Sequence, residues 1–441
     1  VTILLIDGEH YPPVVVRAVK AMREAGAAPF LALLVGGTEK LGQAPMDIGI
    51  PVEDASADPE RALMQAIERT GATEVFDLSD EPVLGYRRRM RLASVALWKG
   101  AVYRGSDFTF TPPDRTARAG APSLAVIGTG KRCGKTAIAG AAARILRDAG
   151  REPVVVAMGR GGPAAPEVIT AGQRLDAATL LEWAGRGRHA SSDYVEDALT
   201  SGVATVGAWR AGGGLAGAVA YSNFAEALEE AEKLGPGILL LEGSGASIPP
   251  ARWDAALLAV DARTDPENLC GYFGLYRLLL ADLVVLTMAE DSLDPHQVQA
   301  VEGCIRDRPN GSPEVIRTIF RPHPLTDIKG KRIWFATTAP PQAAGLLTAH
   351  LQDRFDAKVV GMSHSLADRQ SLQKDLEAVE NADALVVELK AAAVDVVTRF
   401  AVDRGIEVVY AGNRVEILRG EKPLEEAILS VAGLAQERFN P

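Results

Sequence analysis

The sequence predicts an α/β protein on a mostly parallel sheet, with an N-terminal α/β domain before it and a C-terminal α/β region after it. Three observations predict this. Short apolar runs alternate with stretches of helical period along the whole chain. Aromatics are only 5% while Gly, Ala and Val abound, which favours α/β layering over an aromatic-rich β-sandwich. One apolar run leads through a Gly-rich loop directly into a helix. At 441 residues the length suggests about three domains, and 47% hydrophobic residues supply ordinary buried cores.

Residues 1–112 read as strand, helix, strand, helix, strand, helix: Val1–Ile6, Val14–Ala25, Pro29–Val35, Ala62–Thr70, Glu74–Leu78 and Arg87–Ala96. Thr109–Gly120, with Pro112 and Pro113, reads as a linker. A second α/β unit spans 121–310, with strands Leu124–Ile127, Pro153–Ala157, Gly237–Leu241, Ala256–Val260 and Leu283–Thr287 and a helix Thr136–Ala149. Residues 311–441 alternate again, through strands Arg332–Ala336, Lys358–Gly361, Ala384–Glu388 and Glu407–Tyr410 and a helix Ala391–Asp403. Whether this last region is continuous with the second unit is left open.

Composition excludes several classes. Cys133, Cys270 and Cys304 do not build a disulfide framework in so long a chain, and no zinc-type spacing occurs. Val1–Asp7 reads as a strand and not as a signal peptide, and no apolar run nears the roughly 20 residues that span a bilayer. A cytoplasmic protein with no membrane and no nucleic-acid partner is expected. The net charge of −10 argues against general nucleic-acid binding, and would repel a small polyanion unless basic residues gather locally.

Such gathering occurs at Gly128-Thr129-Gly130-Lys131-Arg132-Cys133-Gly134-Lys135-Thr136, between an apolar strand and a helix. Glycines let backbone N–H groups curl around phosphate oxygens, and the helix N-terminus adds partial positive charge. Lys135 would reach the β- and γ-phosphates and Thr136 would hold Mg²⁺. The fold is therefore expected to be of the P-loop NTPase type, binding ATP through residues 128–136. Glu242, after four apolar residues, is placed at the carboxyl edge of a neighbouring strand as a metal carboxylate. Asp261 is a second metal-side candidate. Arg160, in Gly159-Arg160-Gly161-Gly162-Pro163, forms a plausible anion cradle, and His189 stands in a polar stretch.

In the N-terminal domain, Asp7, Glu9 and His10 follow the first strand and Gly36, Gly37 and Thr38 follow the second, so both sets fall on one sheet edge. Arg87, Arg88, Arg89 and Arg91 suit a bisphosphate, although successive arginines on a helix cannot all face one site. Met362–Ser365 and Glu388–Lys390 in the C-terminal third lack the spacing of a catalytic set. That region reads as structural, closing the site or making a dimer contact.

The glycine one residue early in the phosphate loop, giving Gly-Thr-x4-Gly-Lys-Thr, and the Glu242-Gly-x-Gly run resemble dethiobiotin synthetase and related ATP-dependent ligases. The opening Ile6-Asp7-Gly8-Glu9-His10-Tyr11-Pro12-Pro13-Val14 is more discriminating. With Val35–Lys40, the phosphate loop, Gly159–Pro163 and His189–Asp197, it resembles the cyclic 2,3-diphosphoglycerate synthetase family over most of the chain. The resemblance implies an ATP-dependent ligase that closes 2,3-diphosphoglycerate into a cyclic pyrophosphate, releasing ADP and phosphate; the phosphate loop and Glu242 suggest a route through a mixed-anhydride intermediate. ATP and Mg²⁺ are the implied cofactors, with a monovalent cation such as K⁺ also considered, and the assembly expected is a homodimer. Lys135, Lys131, Glu242 and Arg160 would be catalytic. Asp7, Glu9, His10, Gly36, Gly37, Thr38, Arg87, Arg88, Arg89 and His189 would bind substrate. Two other readings stand beside it: a kinase or ligase acting on another small acid, and a nucleotide-dependent dimerising switch.

Overall fold

A computed structural model describes residues 1–37, 46–418 and 421–439, so Thr38 lies outside the described residues. Strands β1 (Thr2–Ile6), β2 (Pro29–Leu34), β3 (Val52–Asp54), β4 (Glu74–Asp77), β5 (Val102–Arg104) and β6 (Thr109–Phe110) form a six-stranded sheet in the order β3-β2-β1-β4-β5-β6. All its neighbours are parallel except β5 and β6. Local sequence explains the helix after β3. Asp58 accepts the Arg61 amide, Pro59 opens the helix, and Gly71 closes it in a left-handed conformation.

The remaining strands are β7 (Ala117–Arg118), β8 (Ser123–Gly128), β9 (Pro153–Gly159), β10 (Glu167–Ile169), β11 (Thr205–Ala211), β12 (Tyr221–Ser222), β13 (Ile238–Glu242), β14 (Ala251–Arg252), β15 (Ala255–Asp261), β16 (Leu283–Thr287), β17 (Glu314–Pro324), β18 (Arg332–Ala336), β19 (Lys358–Ser363), β20 (Ala384–Glu388) and β21 (Glu407–Ile417). Thirteen of the strands make one large sheet, ordered β10-β11-β9-β13-β8-β15-β16-β17-β21-β20-β18-β19, with β12 beside β11. From β11 to β17 every pair is parallel.

Strand β17 is the joint. Its first half pairs with β16 in parallel, and its second half pairs with β21 in antiparallel from Thr318 to Pro324. The C-terminal region therefore continues the sheet of the middle region. Pro322 and Pro324 lower the strand propensity of this segment, so tertiary pairing and not local preference makes it.

Both faces of the large sheet are covered. Leu124, Val126, Leu240 and Leu257 pack under helix Lys135–Asp148 and the C-terminal helix Leu424–Arg438. Ala125, Ile127, Leu258 and Val260 pack against helix Gly274–Leu280, which also meets helix Tyr86–Trp98 of the N-terminal domain.

Three expectations need correction. The stretch Thr109–Gly120 contains two short strands, because Phe110 is drawn onto Phe273 at 5.1 Å between ring centroids and β7 pairs with β14. Ala391–Asp403 is not one α-helix: a π-helical turn covers Ala393–Thr398, where Thr398 Oγ1 donates to the Ala393 carbonyl, and α-helix follows over Arg399–Asp403. Cys270 and Cys304 form a disulfide with Cα atoms 5.3 Å apart, brought together by the helices after β15 and β16, while Cys133 is free. Among the described residues, no helix is long and apolar enough to cross a membrane.

Candidate functional site: the phosphate loop and its acidic wall

The loop from Gly128 to Thr136 leaves the carboxyl end of β8 and enters helix Lys135–Asp148. Several bonds fix its shape. Thr129 N donates to Ala259 O at 3.2 Å, Cys133 Sγ to Gly130 O at 3.2 Å, and Thr287 Oγ1 to Cys133 O at 2.9 Å. Gly134 has φ +87°, and a Cβ there would strike the ring of Phe320 from β17, so glycine is required twice over. Lys135 is 7% exposed and its ammonium donates to Gly130 O at 3.2 Å, which holds it across the loop. Lys131 and Arg132 are exposed on the outer side.

Thr136 Oγ1 donates to Glu242 Oε1 at 2.9 Å, so the two metal-side candidates meet across the β8–β13 edge. Glu242 Oε2 is buried without a hydrogen-bond partner. This donor set fits Mg²⁺, which takes a hydroxyl and a carboxylate and leaves other positions to phosphates and water. The described residues hold no group of three or more His, Cys, Asp or Glu able to bind a metal by themselves. Asp261 is instead held by Arg263 through two bonds of 2.9 and 2.7 Å.

Behind Glu242 stands a wall of carboxylates that the sequence reading missed. Helix Asp193–Ser201 brings Asp193, Glu196 and Asp197 to it. Asp197 is fully buried, and neither of its oxygens has a hydrogen-bond partner. Burial, then the neighbouring Glu242, pushes its carboxyl well above the ordinary range. Burial and then Asp193 push Glu242 up to about 7. Burial also lifts Glu196 to about 7, against the pull of Lys390. Lys390 comes from the turn after β20; its Nζ is 3.4 Å from Glu196 Oε1 and its side chain is 34% accessible. That contact holds its ammonium above its ordinary value. The C-terminal region thus places a cation at the acidic wall.

The Arg160 loop belongs to the same edge. Gly161 packs on the ring of His189, and a Cβ on Gly159 would lie 3.4 Å from Asp193 Oδ2. A Cβ on Gly162 would run into the Ala208 carbonyl. Gly162→Ala should therefore lower stability by about 1–3 kcal/mol, read as a fall in Tm; an unchanged Tm would place this loop elsewhere.

The N-terminal candidates form a separate cluster. Asp7, fully buried, accepts from the Glu9, His10 and Asp80 amides, and His10 Nδ1 lies 2.8 Å from it. Burial alone would raise the Asp7 carboxyl; the Asp80 amide and the His10 contacts outweigh it and hold it below its ordinary value. Gly8 N donates to Gly36 O at 2.9 Å, which brings the turn at Gly36 and Gly37 beside the Asp7–His10 turn. The arginines divide. Arg89 turns inward to Asp77 at 2.8 Å, Arg91 is buried against Glu60 at 2.6 Å, and Arg87 reaches Glu267 of the middle region at 2.9 Å. Among the described residues, Arg88 donates to a backbone carbonyl, Val83 O, at 3.3 Å.

A parallel sheet carrying a Gly-Lys-Thr loop opposite a buried carboxylate defines a P-loop nucleotide-binding enzyme. Three family models match in succession: cyclic 2,3-diphosphoglycerate synthetase N-terminal domain over residues 1–111, its P-loop domain over 123–319 and its C-terminal domain over 324–414. A cyclic 2,3-diphosphoglycerate synthetase of Rubrobacter xylanophilus is 49% identical over 416 residues, covering 93% of each chain. One of Methanothermobacter thermautotrophicus is 42% identical over 452 residues, covering 99% of this chain and 97% of that one. LpxK from Aquifex aeolicus in complex with ATP matches with TM-score 0.44 and 13% identity, over 78% of this chain and 96% of that one. The chain belongs to the cyclic 2,3-diphosphoglycerate synthetase family, ATP-dependent enzymes of the ligase type.

Proposed function

We propose that the protein uses ATP to close 2,3-diphosphoglycerate into its cyclic pyrophosphate, releasing ADP and phosphate. The observation that carries the chemistry is the Thr136–Glu242 contact beside Lys135, which assembles the nucleotide end of a phosphoryl-transfer site. The family supplies the acceptor. In this reading an oxygen of one substrate phosphate attacks the γ-phosphorus and the bond to ADP breaks, giving a mixed anhydride. An oxygen of the second substrate phosphate then attacks the activated substrate phosphorus and expels inorganic phosphate. Both steps require little beyond alignment and charge neutralisation.

Lys135 and the loop amides from Gly128 to Gly134 bind the triphosphate. Mg²⁺, held by Thr136 and Glu242, would supply charge neutralisation at the nucleotide phosphates. Lys131, Arg160 and His189 take the acceptor side. Asp7, Glu9, His10, Gly36, Gly37 and Arg88 line the N-terminal edge that presents substrate. Phosphorus NMR of the full chain with ATP, Mg²⁺ and 2,3-diphosphoglycerate tests the reading. A cyclic pyrophosphate signal with equimolar ADP and phosphate is expected. A phosphorylated acceptor that never closes would make the enzyme a kinase, and ADP without acceptor chemistry would make it a nucleotide switch.

A further inference from the structure

Arg210, at the end of β11, has no place in the chemistry described so far. Its guanidinium is fixed by the backbone on two sides, with Nη1 donating to Gly212 O at 2.9 Å and Nη2 to Ser244 O at 2.9 Å. Ser244 is in the turn two residues after Glu242, so Arg210 stands beside the nucleotide carboxylate. On the other flank, Gly162 lies against Ala208 and Trp209. The loop that carries Arg160 therefore rests on β11 just ahead of Arg210. The Nε–H of Arg210 is buried with no hydrogen-bond partner. Neither Arg160 nor Arg210 forms an ion pair among the described residues; the carboxylate felt by Arg210 is Asp193. Burial, then the nearby Arg160, lowers the affinity of Arg210 for its proton.

Two guanidiniums sharing one loop edge repel each other, and an anion between them turns that repulsion into attraction. The N-terminal arginines differ, since Arg87, Arg89 and Arg91 each already hold a carboxylate. We infer that Arg210 and Arg160 form a subsite for one phosphate monoester of the acceptor, next to Glu242. The inference rests on the proposed function and adds a substrate-binding residue to it. In this subsite the unpartnered Nε–H of Arg210 is left for a phosphate oxygen, while the bonds to Gly212 O and Ser244 O fix the guanidinium in place.

Steady-state kinetics of the full chain carrying Arg210→Gln and Arg210→Lys test this. Losing a charge-assisted bond should raise the KM for 2,3-diphosphoglycerate about tenfold or more in Arg210→Gln. The KM for ATP should stay within about twofold of the parent, and Arg210→Lys should recover part of the loss. A purely structural clamp predicts otherwise. Neither Lys nor Gln can bridge both carbonyls, so both variants would fail alike and both KM values would rise together. That result, or an unchanged KM for the bisphosphate, overturns the inference. If Arg210→Gln does not fold, calorimetric titration of Arg210→Lys with 2,3-diphosphoglycerate and with ATP decides, binding weakened for the bisphosphate alone supporting the subsite, and equal binding or a like weakening for both overturning it. An unaltered protein that neither binds nor turns over 2,3-diphosphoglycerate would overturn the proposed function itself, whereas an active parent with an insensitive Arg210→Gln variant strikes the subsite alone.

Discussion

Lys135→Ala should reduce ATP turnover by about 10²–10³ while the protein stays folded. The size follows from the role proposed for the ammonium: in a buried loop it would neutralise charge that shifts as the γ-phosphoryl group leaves, and single preorganised donors of this kind carry about 10²–10³ in rate. The fold should survive because Lys135 makes one hydrogen bond, to Gly130 O, whereas Cys133, Thr129 and Thr287 hold the loop without it. The check is ADP release together with a thermal melt. A variant that keeps its turnover would show that the loop does not handle the transferred phosphate.

Glu242→Gln should separate activity from stability. Turnover should fall by about 10²–10³, because a neutral amide replaces the carboxylate beside Thr136. Stability of the nucleotide-free protein should move the other way. Burial raises the carboxyls of Glu242 and Glu196 from an ordinary 4.5 to about 7, and raises Asp197 too. From about pH 4.5 to 7 the native state then holds protons that the unfolded chain has released, so stability falls as pH rises through that window and the whole penalty is present above it. A shift of this size amounts to a few kcal/mol, on the order of 3 for one such group. The glutamine amide can donate to Asp197, whose oxygens have no hydrogen-bond partner. Glu242→Gln should therefore melt higher than the parent at pH 8 and show a flatter decline between pH 6 and pH 8. A lower Tm at pH 8 would mean that Glu242 is ionised and well satisfied in the native protein.

Much of the nucleotide half was legible in the sequence, because there the chemistry is contiguous. A strand, a turn and a helix N-terminus occur in order over Ser123–Asp148, and four apolar residues before Glu242 suffice to place it at the sheet edge. The acidic wall was not legible. Asp193, Glu196 and Asp197 lie on a short helix whose pattern suits a solvated face, and only packing shows that they turn toward Glu242. Lys390 pairs with a carboxylate nearly two hundred positions earlier, and Arg210 is defined by two carbonyls and a loop from different strands. The N-terminal arginines show the converse. A run of like charges looks like one patch in sequence, but a helix points Arg89 inward, Arg87 toward the next domain, and Arg91 between Glu60 and the Cys270 and Asp307 carbonyls of that domain.

The dual pairing of β17 also limits how the enzyme can move. Strand β17 carries two successive ladders, to β16 over Glu314–Arg317 and to β21 over Thr318–Pro324, so the parts of the sheet bearing the phosphate loop and Lys390 are joined through one strand. Packing of helix Leu424–Arg438 on helix Lys135–Asp148 and on β8 and β15 adds a second link between the middle and C-terminal regions. The N-terminal domain has its own sheet and meets the middle region through helix Tyr86–Trp98, with the Arg87–Glu267 pair at its rim. Sliding of packed helices is the motion such a contact permits. A shift of the N-terminal domain would then be a shear of helix Tyr86–Trp98 over helix Gly274–Leu280, carrying the Asp7–His10 turn with it as one body.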